Sequence, residues 1–454
     1  MIKKMFNVNG LRLSGLGFIS VLSLSVACSP SKNFDSKSPR LRESPVEPGY
    51  LMPPESVELM SPHLLGRYEL AKIVRLGARI IEWTDLLQAE IAPEMREQLW
   101  RKQDYILNQP TADRPRVYNT SSIEKTFEAG ISLLHRSVLD ALDSYKPLPK
   151  KIPHSLKMQD LLPGFRTIIE AYSMATRWIL LYPSRESFKK EARDFRPWLK
   201  MRIEKDAIEN QLKNWSQISA ESRLFLIKKI AEGCPIGGRG VDDCMAEAVH
   251  FVNLDDPGDL QDFVDHVFVA GEEVYSSRFK IQQKHFDVEV HLSDQGVLGL
   301  KYKAFEIPPT LLSWISSQIE IGWSNPGFHQ SLVPAAEALP GVIQVHWQEG
   351  AMPYVNAVGG DVITMDSNQK LWLEYSQVAM IHEFGHVMGF PDCYSEFWDE
   401  KREAFVFYTL DPNNRMCALT GDTLREHWDG IRETYASGSK FLIDLEAIGW
   451  PGYE

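Results

Sequence analysis

Two textures of hydrophobic patterning divide this chain. Residues 64–91 carry Leu70, Ile73, Val74, Gly77, Ile80, Ile81 and Leu87 close to a spacing of 3.6, the mark of an amphipathic helix. Residues 123–145 repeat the pattern with Phe127, Ile131, Leu134, Val138 and Leu142. Residues 165–181 and 224–231 also read as helices, and the charged stretch 187–213 predicts at least one more. Alternation begins only after residue 280. Phe286-Asp287-Val288-Glu289-Val290-His291 alternates apolar and polar, predicting a half-buried strand, and residues 297–305 can pair with it across a turn at 293–296. Pro308-Pro309 then opens a helical pattern with Leu311, Leu312, Ile315 and Ile319 on one face. Residues 342–347 and 361–365 read as short strands, followed by a helix over about 371–388. The expectation is an α+β protein: an all-helical domain over 63–255, of no evident role, then a sheet-containing domain over 281–454.

The N-terminal end reads differently. Lys3, Lys4 and Arg12 precede an uncharged run over 13–27, which predicts a signal peptide over 1–27. Leu24-Ser25-Val26-Ala27-Cys28 resembles a bacterial lipobox, with Ser25 where Leu is usual, so Cys28 is the expected lipidation site. Residues 28–62, with Pro30, Pro39, Pro45, Pro48, Pro53 and Pro54, lack the apolar content to fold and predict a flexible tether. No other run is apolar enough to span a bilayer; the best, residues 171–182, is interrupted by Arg177. Together these predict a protein of the bacterial cell envelope, held to the membrane through its N-terminal lipid alone. The net charge of −12 disfavours nucleic acid as a partner. Asp255-Asp256-Pro257-Gly258-Asp259 reads as a solvated loop between the domains, without the ligand spacing of a calcium loop.

Candidate chemistry is concentrated in His382-Glu383-Phe384-Gly385-His386-Val387-Met388-Gly389-Phe390-Pro391-Asp392. Two histidines four apart share one face of a helix and can reach one ion. Glu383 is placed to take a proton from an attacking water. Gly389 suits the left-handed turn that ends such a helix, after which Asp392 can return as a third ligand. Two imidazoles and a carboxylate with an open position favour Zn²⁺, and the adjacent base argues against an Fe²⁺ oxygenase site.

This stretch resembles the HExxHxxGxPD signature of metzincin-type zinc metalloproteases, particularly those with Asp as third ligand, such as snapalysin and the immune inhibitor A peptidases. The resemblance implies a metzincin-like catalytic domain, a short twisted sheet plus the metal-binding helix, acting as a zinc endopeptidase on protein or peptide substrates. It also implies a methionine turn under the metal, for which Asn414-Arg415-Met416-Cys417 qualifies, before a last helix-like stretch at 441–450. In that family the strand before the metal helix lies at the sheet edge and pairs with extended substrate; residues 360–366 occupy the matching place. Some members carry a Tyr two residues after the turn methionine to stabilise the oxyanion; Ala418 stands there in this chain, leaving Tyr394, His427 and Tyr435 as candidates.

Besides Cys28 there are Cys234, Cys244, Cys393 and Cys417, an even number that suggests two disulfides with three possible pairings. Proximity in sequence favours Cys234–Cys244 and leaves Cys393–Cys417. Competing uses are Cys393 as a zinc ligand and Cys234 as a plug over the zinc in a pro-region. Two further functions compete with the endopeptidase: an envelope lipoprotein that uses a metzincin-like fold only for binding, and a zinc-dependent amidase acting on cell-wall peptides.

Overall fold

A computed structural model of the chain describes residues 68–87, 109–143, 147–152, 156–253, 257–285, 289–292, 298–304, 309–324, 328–334, 341–368 and 374–435. The leader, Cys28, the tether and the stretch 441–450 lie outside these residues. The protein is a mixture of helices and small sheets.

The first helices form where the periodicity places them: α1 (Tyr68–Leu86), α2 (Thr120–Ser132), α3 (Arg136–Asp143) and α4 (Met158–Leu181). Asn119 caps α2 by accepting the Ser122 N–H, while the Ser122 hydroxyl faces the Asn119 backbone N–H in return. Gly130 and Gly164 let α2 and α4 touch backbone to backbone; a Cβ on Gly164 would lie 2.5 Å from Leu134 Cδ2. A second group follows: α5 (Arg185–Lys190), a π-helical turn at Glu191–Phe195, α6 (Arg196–Ile203), α7 (Lys205–Lys213), α8 (Ala220–Gly233), α9 (Val241–Asn253) and α10 (Pro257–Ser277). The expected acidic linker is thereby corrected. Pro257, Gly258 and Asp259 are the first turn of α10, where proline lacks only an N–H that had no helical partner.

The expected all-helical domain is corrected too. It contains a strand, β1 (Arg116–Tyr118), which lies antiparallel to β9 (Ala404–Thr409); β8 (Tyr394–Asp399) completes the sheet in the order β1-β9-β8. The period of two then sends residues to opposite faces. Tyr118, Trp398 and Phe405 join the core built by α1, α2 and α4. Phe397, Val406 and Tyr408 join the core built by α6, α8, α9 and α10. Helices from the first half therefore cover both faces of a sheet made mainly by the second, and the two halves share their cores.

The remaining strands form two sheets. β2 (Glu289–Leu292) and β3 (Leu298–Ala304) are antiparallel, and α11 (Pro309–Trp323) carries the chain over to β4 (Phe328–Pro334), parallel to β3. β5 (Gln344–Gln348), β6 (Tyr354–Val355) and β7 (Val362–Asp366) form the third sheet in the order β5-β7-β6. Residues 360–366 were expected at an edge; instead β7 is the inner strand, parallel to β5 and antiparallel to β6. The reason is the turn through Gly359, whose φ of 74° suits glycine and doubles the chain back from β6 onto β7. Behind this sheet α12 (Glu374–Val387) and α13 (Arg425–Tyr435) pack with α11 around Trp323, Ile363, Phe384, Met416 and Trp428. No helix among the described residues is long and apolar enough to cross a membrane.

Candidate metal centre

The helix α12 is buried on nearly all sides: every residue from Val378 to Val387 is buried. Such a helix needs close contacts, and Gly385 supplies one. A Cβ there would lie 2.2 Å from Met416 Sδ and 2.8 Å from Trp323 Cζ2. The Met416 side chain thus lies directly against the helix turn that carries the two histidines. Trp323 Nε1–H donates to the Ile381 carbonyl at 2.7 Å from α11. The helix stops at Gly389, with φ 98°, and the Phe390 N–H returns to the Gly385 carbonyl at 3.0 Å. A Cβ on Gly389 would also lie 2.0 Å from the Gln283 carbonyl oxygen, so conformation and space both demand glycine.

That turn brings the chain back over the helix and sets three side chains together. The Nδ1 of His382 lies 2.9 Å from the Arg415 carbonyl, and Nδ1 of His386 lies 2.8 Å from the Phe390 carbonyl. A carbonyl can only accept, so each Nδ1 carries a hydrogen, and both Nε2 atoms face inward. They converge on one oxygen: Asp392 Oδ1 is 3.1 Å from His382 Nε2 and 3.2 Å from His386 Nε2. The ring planes are perpendicular, with centroids 4.9 Å apart. Burial opposes charge on His386, but Asp392 outweighs it and raises the imidazole to about 9. Burial likewise opposes the Asp392 carboxylate, and the two imidazoles hold it well below the usual carboxyl range. This is a two-nitrogen, one-oxygen donor set of the kind that can hold a divalent cation.

Glu383 completes the group: it and the two histidines offer ligand atoms within 4.8 Å of one another. It is buried, and its Oε2 has no hydrogen-bond partner among the described residues. Burial is the largest influence on this carboxyl and raises its pKa; the histidines pull it down, Asp392 pushes it up, and Arg177 pulls it down. Asp392, with its side chain 37 % exposed, marks the open side of the site.

The turn Asn414–Cys417 is tied to this cluster by hydrogen bonds and a disulfide. Asn414 Oδ1 accepts the Met416 N–H at 2.8 Å, and the Cys393 N–H donates to the Met416 carbonyl at 3.1 Å. Cys393 is bonded to Cys417, and Cys234 to Cys244. Neither Cys393 nor Cys234 therefore offers a thiolate to a metal, which removes both competing uses of those cysteines.

The three oxyanion candidates separate. His427 is a structural residue: its Nδ1 accepts the Leu424 N–H at 2.8 Å and its Nε2–H donates to Asn414 Oδ1 at 3.0 Å. Burial, with Arg415 nearby, lowers its pKa to about 3, so it stays neutral. The Tyr435 hydroxyl is also engaged, donating to the Met388 carbonyl at 2.7 Å and accepting the His285 N–H at 2.8 Å. Tyr394 lies two residues after Asp392, its ring against Phe407 with centroids 4.9 Å apart. Burial and then Asp392 raise its phenol well above the ordinary value.

One site neighbour was not anticipated as such. Arg177 of α4 reaches β8, where its Nε and Nη2 donate to Glu396 at 2.9 and 2.6 Å. A lone arginine in an otherwise apolar run was its signal, because a charge there needs a partner. No family model, curated protein or solved structure matches this chain.

Proposed function

We propose that this protein is a zinc-dependent endopeptidase of metzincin type, with His382, His386 and Asp392 as the metal ligands and Glu383 as the base. One observation carries the reading: a buried carboxylate, Glu383, with an unpartnered oxygen, beside two imidazoles whose free nitrogens converge on Asp392. A buried acceptor left unsatisfied is costly, and a site that moves a proton gives it a use. A binding-only lipoprotein would have no use for that oxygen. Zn²⁺ at these ligands would supply Lewis-acid polarisation of the scissile carbonyl and acidify an attacking water.

Around that chemistry the chain's own groups divide the work. Glu383 accepts the proton of the attacking water and delivers it to the leaving amine. The Arg415 and Phe390 carbonyls hold the imidazoles in the tautomer that presents Nε2. Met416 fills the space under the ligand-bearing turn and takes no part as a ligand. Cleavage of the leader before Cys28 and lipidation of that residue would place the enzyme in the bacterial cell envelope.

The test compares the wild type with Glu383→Ala on an unfolded protein substrate, reading new termini by mass spectrometry and bound zinc by elemental analysis. The variant should retain zinc and lose roughly two to four orders of magnitude in rate, as loss of a general base does. Zinc bound by both proteins with no cleavage of protein by either would refute the endopeptidase. Cell-wall peptides offered in parallel separate it from an amidase.

A further inference from the structure

We propose that the helical half is a working part of the metal site, and that Arg177 of α4 is its positioning residue, holding β8 and through it Asp392 and Tyr394. The catalytic part of this inference rests on the endopeptidase reading; the metal-binding part does not.

The geometry is specific. On one face of the sheet β1-β9-β8 the side chains of Tyr394 and Glu396 from β8, Phe407 from β9 and Tyr118 from β1 lie side by side. The Arg177 guanidinium lies across them. It binds both carboxylate oxygens of Glu396 and donates from Nε to the Tyr118 hydroxyl at 3.1 Å. Its Cζ stands 5.7 Å from the Tyr394 ring centroid and 5.5 Å from that of Phe407. The Tyr118 hydroxyl donates to Glu396 in turn. Nη1 lies 2.9 Å from the soft sulfur of Met352. One cation from the first half thus fixes three aromatic rings and a carboxylate of a sheet whose β8 begins two residues after Asp392.

A removable pro-region would not be built this way. Excising the helical half would strip β1 from β9 and uncover Trp398 and Phe405 on one face, Phe397, Val406 and Tyr408 on the other. Further ties cross the same boundary. Tyr172 of α4 donates to Asp366 at the end of β7 at 2.7 Å, and Ser395 of β8 donates to Glu191, which Arg278 also binds.

The experiment uses the full chain and three variants: Arg177→Met, Arg177→Lys, and Arg177→Met with Glu396→Gln. The double variant leaves no buried unpaired charge while keeping an acceptor for Tyr118, so it guards against simple misfolding. Zn²⁺ affinity is measured by chelator competition, the ligand field by the visible absorption of the Co²⁺-substituted protein, and thermal stability and kcat alongside. Arg177→Met should weaken Zn²⁺ binding and kcat by about tenfold or more, the usual consequence of losing support behind a ligand, and shift the Co²⁺ bands. Arg177→Lys should recover part of this, since it keeps the charge without the fork. The double variant should recover thermal stability but not Zn²⁺ affinity. Recovery of both, or a single variant with wild-type affinity and Co²⁺ spectrum, would overturn the proposal and leave Arg177 as packing. A wild type that binds Zn²⁺ but cleaves nothing refutes the endopeptidase alone, because affinity and spectrum still report on Arg177. A wild type that binds no Zn²⁺ overturns both.

Discussion

Consider two double variants, Cys393→Ala with Cys417→Ala, and Cys234→Ala with Cys244→Ala. The first bridge spans 24 residues and the second 10. On the chain-entropy account their removal costs about 3.5 and about 2.7 kcal/mol at 25 °C, a difference too small to distinguish them by stability. Their places in the fold differ much more. Cys234 and Cys244 lie in the core of α6 and α8–α10, which contains no ligand of the metal centre. Cys393 follows Asp392, Cys417 follows Met416, and their Cα atoms are 4.4 Å apart. Without that bond the ligand loop is held to the methionine turn by the single hydrogen bond from Cys393 N–H to the Met416 carbonyl. Losing support of that kind costs about tenfold in metal affinity, or about 1.4 kcal/mol. Urea unfolding of the metal-free proteins and Zn²⁺ titration against a chelator measure the two quantities separately. Both variants should lose similar stability, and only the first should lose Zn²⁺ affinity. Equal loss of affinity in both, or none in the first, would refute the assignment of the Cys393–Cys417 bridge to the metal site.

Two other perturbations test the same architecture. Gly385→Ala puts a methyl group into Met416 and Trp323 and should destabilise by about 1–3 kcal/mol while weakening Zn²⁺ binding; Met416→Ala in the same chain should return part of the loss, read by thermal melts and titration. His427 gives a pH dependence. Its pKa is lowered on folding from 6.5 to about 3, so below 6.5 the unfolded chain takes up a proton that the folded one refuses. Its contribution is complete above pH 6.5 and is lost progressively as pH falls towards 3. Between pH 7 and 5 this amounts to about 2 kcal/mol, which urea unfolding of the wild type should show in excess of His427→Gln.

What the sequence disclosed, and what it withheld, divides by distance along the chain. The clustering of His382, His386 and Asp392 was legible because eleven consecutive residues encode it: a helical period places His386 over His382, and Gly389 forces the return of Asp392. The helices of the first half were legible for the same local reason. The sheet β1-β9-β8 was not. β1 has three residues, too few for any period, and β9 reads Ala404-Phe405-Val406-Phe407-Tyr408-Thr409, a continuous apolar run because helices bury both faces. A run of that kind does not distinguish strand from helix. α13 also went unread, although His427, Trp428, Ile431 and Tyr435 keep a helical spacing, because its remaining positions are charged, glycine or threonine. The Arg177–Glu396 pair is the limiting case. Each is a lone charge amid apolar or aromatic neighbours, and each alone predicts only that a partner exists. Which partner it is depends on a chain segment spanning a separation of 219 positions folding so that α4 crosses β8. Chemistry carried by one helix turn can be read from spacing, whereas a long-range pair such as Arg177 and Glu396 is fixed by topology, and one of its members comes from the half with no motif at all.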